Sequence, residues 1–247
     1  MKKGTRLNKY IASSGVCSRR KADELILSGV VSVNGKKVTE MGFSVSEKDK
    51  VFIDKNLIRP VKHEYYRFYK PSGYITSAED ENGRKIIYDL LPPEMHNLKP
   101  VGRLDKDSSG LIILTNDGNL INQLTHPSIK VPKVYIVSVE APIHLHQLEK
   151  LAKGIEIEPG KIAYADTKVK ESTSKRTIME ITLYQGLNRQ IRKMFEAIGF
   201  EVSSLKRVQH AIINIEGFKK GQYKPMKPQQ VKELKNFINK VKMNDAK

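Results

Sequence analysis

The residues best suited to chemistry sit in one short stretch, 101-VGRLDKDSSGLIILTNDG-118. Arg103 and Asp105 stand two apart, just before an apolar run, in a chain whose formal charge is +17. A lone Asp ahead of a strand usually closes a turn. A carboxylate held at a reacting centre can instead attack as a nucleophile or remove a proton as a base. Either role needs an ionised group, shielded from water, with a cation nearby to favour its charge despite burial. On an extended segment Arg103 and Asp105 point the same way. Asp107 reads as a local hydrogen-bond partner and Asp117 as a turn residue.

Composition narrows the chemistry. At 39% hydrophobic and 29% charged over 247 residues, the chain is long enough for one large domain, or a small one plus a medium one. The single cysteine, Cys17, excludes an internal disulfide and a cysteine-rich zinc site. The six histidines are read as carrying no HExxH or HxH cluster, so no histidine metal site is expected. No apolar run approaches the roughly 18 residues a membrane span requires. No 7–15-residue apolar core follows the basic N-terminus, so the cytoplasm is the expected location.

The charge is uneven. Residues 1–63 hold fourteen Lys and Arg against six Asp and Glu, a net +8, and residues 219–247 hold nine against two, a net +7. The 155 residues between them carry only +2. Basic ends around a nearly balanced centre favour a polyanionic partner, nucleic acid rather than membrane.

These residues must be positioned by elements that the pattern makes legible. Leu7, Tyr10 and Ile11 repeat at helical spacing up to Gly15. Ser18 is an expected N-cap for a second helix ending at Gly29. Then 30-VVSVNGKKV-38 reads as a hairpin turning at Asn34-Gly35, 51-VFID-54 as a strand, and 56-NLIRPVKHE-64 as a linker. Beyond residue 64 the pattern predicts a strand and a turn within 65–77 and strands near 111–116, 133–140, 176–186, 201–207 and 211–216. It predicts helices near 119–126, 144–153, 188–199 (capped by Asn188) and 229–241. Helices and strands mix without regular βαβ alternation, which predicts an α+β fold with a mainly antiparallel sheet.

The stretch 6-RLNKYIASSGVCSRRKADELILSGVVSVNGKKV-38 resembles the alpha-L RNA-binding motif of the ribosomal protein S-four type. The expected domains are an RNA-binding module over 1–60 and a larger catalytic domain over 61–247 with a basic tail. Arg6, Lys9, Arg19, Arg20 and Lys21 are its candidate RNA contacts, the last three at a helix N-terminus where cations and free amides can meet phosphates together.

Four stretches together, 70-KPSG-73, 102-GRLDKDSSGLIILTNDG-118, 133-KVY-135 and 185-QGLNRQIRKM-194, resemble the pseudouridine synthase family that contains RsuA, RluB, RluE and RluF, most like the RluF branch. Gln185 and Lys193 depart from the commoner Glu and Arg. The resemblance implies isomerisation of a uridine in RNA, expected in large-subunit (23S) rRNA, with 16S rRNA or a tRNA anticodon loop as alternatives. It implies that Asp105 is the catalytic aspartate, as nucleophile at C1′ or base at C2′. Arg192 would be the basic residue paired with it, and Tyr135 would stack on the uracil. Arg103 would fill the space left by the flipped base, and Arg189 would contact RNA. No cofactor and no metal are implied, and a monomer is expected. A rival of another class is a non-catalytic RNA-binding assembly factor, which has no use for a carboxylate facing phosphates.

Overall fold

The computed structural model describes residues 4–245. The chain divides into two compact units. The first runs to Glu64 and takes in Asn116–Gly118; the second holds Tyr65–Thr115 and everything from Asn119 onward.

In the first unit the helices Leu7–Ser13 and Arg19–Leu27 form where the apolar spacing places them. The Ser18 side chain accepts a hydrogen bond from the Lys21 amide at 3.2 Å, satisfying one of the donors a helix start leaves unpaired. Asn8 on one helix donates to Asp23 on the other at 2.8 Å. Leu7, Ile11, Ala22 and Ile26 face a four-stranded antiparallel sheet and share one core with Val31, Val33, Val51, Ile53 and Ile58. Asn34 and Gly35 both take positive φ, 51° and 80°, as a tight hairpin turn requires. The expected linker begins too early: Asn56–Ile58 is a strand paired with Val51–Ile53. Asp54 and Lys55 turn that hairpin at φ 45° and 69° without the usual glycine, which hides it from the sequence.

The second unit is built on a nine-stranded mixed sheet. Its main path runs Asp166–Ser172, Thr177–Leu183, Lys133–Val139, Val202–His210, Ser109–Thr115, Tyr65–Lys70 and Tyr223–Pro225. All pairings are antiparallel except that of Ser109–Thr115 with Val202–His210. This is the mainly antiparallel α+β sheet that the pattern predicts.

The strand Ser109–Thr115 is apolar along its length because both of its faces are covered. Ile112 and Leu114 join a core with Tyr135, Met179 and Phe195, while Leu111 and Ile113 join a second core with Leu124, Leu234 and Ile238. The basic tail is a docked helix, Pro228–Asp245, with Leu234 and Ile238 fully buried and Lys235 Nζ donating to the Tyr65 hydroxyl at 2.9 Å. Helical spacing in 229–241 arises from that one buried stripe, and the lysines lie around it. Among the described residues no helix is long and apolar enough to cross a membrane.

Candidate active site

The carboxylate of Asp105 sits on a loop, and that loop is tied from three directions. The 70–76 segment supplies all three ties. Lys70, the last residue of its strand, is fully buried, and its ammonium donates to the carbonyls of Ser108 (2.7 Å), Asp105 (2.9 Å) and Pro71 (3.2 Å). The Gly73 amide donates to Lys106 O at 2.7 Å. The Thr76 hydroxyl donates to Leu104 O at 2.8 Å and accepts from Leu104 N at 3.1 Å. Three ammonium protons on fixed carbonyls are charge-assisted bonds, about twice as strong as neutral ones. The lysine and glycine of 70-KPSG-73 therefore hold the backbone of 104–108 in place. Burial pushes the Lys70 ammonium down to about 8, against the pull of Asp105 and Asp107 and with a further push from Arg207.

Arg103 and Asp105 lie on a loop rather than on the expected strand. Leu104 is buried between them, while Arg103 is exposed and Asp105 half-buried, so the two point to one side. Gly110 closes the stretch at φ 115°, and its Cα approaches the backbone of Arg207 so closely that a Cβ there would lie 2.2 Å from Arg207 O. This contact between parallel strands is what requires glycine at 110.

Tyr135 is buried to 8% exposure on the strand Lys133–Val139. Its neighbour across the sheet is Arg207, and that of Lys133 is His210. Residues 207 and 210 are three apart and would face opposite ways on a regular strand. A register shift between Val134 and Tyr135 inserts Val208 as an extra residue and brings both onto the face of Lys133 and Tyr135. Nothing in the sequence signals this bulge, so Lys133, Arg207 and His210 are site residues that its reading missed. Burial and then the nearby Arg207 hold Lys133 at about 8. Burial, Arg207 and Lys133 together hold the His210 imidazole well below its usual value, so it is neutral.

Arg192 departs from the expected geometry. Its Nε lies 3.2 Å from Oδ2 of Asp107, not against Asp105, and it donates from Nη1 to Val202 O (2.9 Å) and from Nη2 to Asp107 O (3.3 Å). The Nε contact is an ion pair rather than a well-directed hydrogen bond, since Nε has no bonded acceptor. Arg189 reaches the same carboxylate at 3.4 Å, so Asp107 gathers both arginines of the 185–194 stretch. Burial alone would raise the Asp107 carboxyl, but its own amide, Arg192 and Arg189 outweigh that and hold it below the usual range. Among the described residues no ion pair reaches the Asp105 carboxylate. The helix Gln190–Ala197 is not capped by Asn188. Arg189 takes the N-cap position in a left-handed conformation (φ 49°), and the Gln190 side chain instead accepts from Leu187 N at 3.2 Å.

Two cavities flank the Asp105 loop, of about 610 Å³ and about 510 Å³. The larger carries Glu79, Asp80, Glu81, Asp105 and Asp107 on its walls beside Arg84, Arg103, Lys106 and Arg189, so its lining is of mixed sign. The smaller brings Asp105 together with Tyr135, Arg103, Arg189, Lys133 and Arg207, and Asp105 is the one carboxylate among its described lining residues. Its volume is that of a nucleotide-sized ligand site. Arg192 lies outside this lining.

In the N-terminal unit Arg6, Arg19 and Arg20 are exposed and Lys9 half-buried, while Lys21 is exposed but paired with Glu24 at 2.7 Å. Asp117 is more than a turn residue, being buried with Oδ2 3.6 Å from His63 Nδ1. His144 and His146 do have an HxH spacing, contrary to the expectation of none. Their rings stack 5.8 Å apart at the start of a helix, and among the described residues no group of three or more His, Cys, Asp or Glu is placed to hold a metal.

Comparison with known proteins agrees with this arrangement. Residues 64–197 match the model of the RNA pseudouridylate synthase family, and residues 5–51 match the S4 domain. The chain is 42% identical to the "Ribosomal large subunit pseudouridine synthase B" of Bacillus subtilis, over 93% of this chain and 95% of that one. It is 36% identical to the "Dual-specificity RNA pseudouridine synthase RluF" of Escherichia coli, over 94% and 79%. A crystal structure of a pseudouridylate synthase superposes with a TM-score of 0.68 at 26% identity, covering 93% of this chain and 99% of that one. A basic cavity that brings Asp105 and Tyr135 together, an S4 domain, and relatives of this kind matched over more than nine-tenths of this chain together place it in the pseudouridine synthase family of RsuA, RluB and RluF.

Proposed function

We propose that this enzyme isomerises a specific uridine of ribosomal RNA to pseudouridine, with the large-subunit (23S) rRNA as substrate, and that Asp105 is its catalytic carboxylate. The observation that carries this reading is the 510 Å³ cavity, where Asp105 is the single carboxylate among basic walls and faces the same space as Tyr135. C1′ and C5 of a stacked uridine are out of reach, so the nucleotide must leave the helix before reaction. Arg103, exposed beside Asp105, takes up the space the base vacates. Tyr135 stacks on the uracil. The N1–C1′ bond breaks, the uracil turns, and C5 bonds to C1′ and gives up its proton. Asp105 either attacks C1′ or takes a proton from C2′, and both routes need its charge close to the sugar.

Arg192 acts at one remove. With Arg189 it ties the helix Gln190–Ala197 to Asp107, two residues beyond Asp105, and so positions the loop. The module over 1–60 docks on structured RNA through Arg6, Lys9, Arg19, Arg20 and Lys21, whose charge makes binding salt-dependent. The names of the relatives support ribosomal RNA as the substrate class.

The test is to incubate the protein, and separately Asp105→Asn, with unmodified 23S, 16S and tRNA transcripts and to map pseudouridine by carbodiimide labelling and primer extension. The expected result is one new stop in 23S rRNA, absent with Asp105→Asn, whose RNA affinity is equal or tighter because a repulsive charge is gone. A comparable stop with Asp105→Asn sinks the catalytic assignment.

A further inference from the structure

We propose that Lys133 and Arg207 form an anion subsite at the floor of the Tyr135 cavity, and that it takes a phosphate of the RNA strand next to the flipped uridine. This inference rests on the reading of that cavity as the nucleotide site.

The first ground is unbalanced charge. Arg207 is 2% exposed, spends Nε on Leu111 O at 2.8 Å, and leaves Nη2 buried without a hydrogen-bond partner. Lys133 spends one proton on Val131 O at 3.0 Å and is half-buried in the cavity wall with two protons left. Among the described residues neither cation forms an ion pair. Burying an unpaired cation is unfavourable, and here a buried arginine and a half-buried lysine share one face of one sheet. Both lysine and imidazole titration register the resulting field, since Arg207 pushes down Lys133 and both push down His210. His210 is not itself a ligand: a neutral ring that gives its Nε2 proton to Leu124 O (3.4 Å) leaves a lone pair on Nδ1.

The second ground is complementarity. A nucleotide has one ionised part, its phosphate. Asp105 repels it, and the cavity on the other side of the loop is lined by charges of both signs. With the sugar at Asp105 and the base at Tyr135, the basic floor is the remaining wall of matching sign. Lys133 makes the contact, and Arg207, buried in the same lining, adds its positive field while its Nε stays on Leu111 O.

Two arms test this on the full-length chain. In the first, inorganic phosphate is titrated into histidine-labelled protein at constant ionic strength, reading the His210 imidazole by NMR. The expected result is a saturable shift in the wild type that Lys133→Met weakens at least tenfold and Lys133→Arg retains. In the second, Lys133→Gln is assayed on the RNA substrate. The expected result is a KM raised about tenfold, kcat changed less than threefold, and a salt slope of binding smaller by about one. Urea midpoints of the variants within the range of Lys133→Arg confirm folding. No wild-type shift with phosphate overturns the subsite, and an unchanged salt slope overturns the RNA phosphate as its ligand. If the wild type modifies no RNA, the reading of the enzyme fails, while the phosphate arm still decides the subsite.

Discussion

Replacing Gly110 by Ala tests whether the site depends on one close approach of two strands. A Cβ at 110 would meet Arg207 O at 2.2 Å, Arg207 N at 2.6 Å and Arg207 C at 2.8 Å, all backbone atoms that no side-chain rotation can move away. Restoring a tolerable contact requires the paired strands to part by about 1 Å, which costs about 1–3 kcal/mol as overpacking. Holding an L-residue at φ 115° costs about 1–3 kcal/mol more. The expected loss is about 2–6 kcal/mol of stability. Gly110 pairs with Lys70 on one side and Arg207 on the other, so the shift reaches the lysine beneath Asp105 and the strand opposite Tyr135. A displacement of about 1 Å in a catalytic constellation costs about 100-fold in rate. The natural control is Gly118→Ala in the same stretch, where a Cβ meets nothing within 4 Å and no positive φ opposes it. Urea unfolding of both variants gives the stabilities, and single-turnover pseudouridine formation gives the rates. If Gly110→Ala lies within about 0.5 kcal/mol of Gly118→Ala and keeps its rate, the argument from strand contact is wrong.

Three further outcomes follow from the same geometry. Lys70 and Lys133 both titrate near 8 in the fold against an ordinary 10.5, so between those pH values the unfolded chain holds protons that the native state has released. Their contribution to stability is therefore worst below pH 8 and improves as pH rises to 10.5, by about 3 kcal/mol per lysine at ~1.4 kcal/mol per pH unit. Urea midpoints at pH 7.5 and 10 for wild type, Lys70→Met and Lys133→Met measure this, and a rise equal in all three refutes it. Asp107→Asn releases Arg189 and Arg192. The carboxylate is half-exposed, so stability falls by less than about 1 kcal/mol, yet product formation drops at least tenfold as the Asp105 loop loosens, and an unchanged rate would remove Asp107 from the positioning of the site. Leu234→Ala in the C-terminal helix costs about 2–5 kcal/mol because Leu234 is fully buried, and a urea midpoint like that of the wild type would mean the helix is not docked.

Much of this protein is local and therefore legible from its sequence. The Ser18 cap, the Asn34-Gly35 hairpin and the apolar run 111–114 each depend on neighbours a few residues away, and periodicity or turn chemistry reports them. The pairing of stretches 70–73, 102–118, 133–135 and 185–194 with one family likewise needed only residue order. Where local rules competed, the sequence misled: Asn188 looked like a cap, but the chain turns left-handed at Arg189, and a hairpin at Asp54-Lys55 lacked its usual glycine. Tertiary structure alone decided the electrostatics of the site. Lys70 lies 35 residues from Asp105 and Arg207 lies 97 from Gly110, yet burial and strand pairing join them. The bulge at Val208 decides which way Arg207 and His210 face, and Asp107 rather than Asp105 collects Arg192. A side chain's partner depends on which distant backbone comes within a few ångströms of it. That distance is set by the packing of the whole sheet, and no periodicity along the chain encodes it.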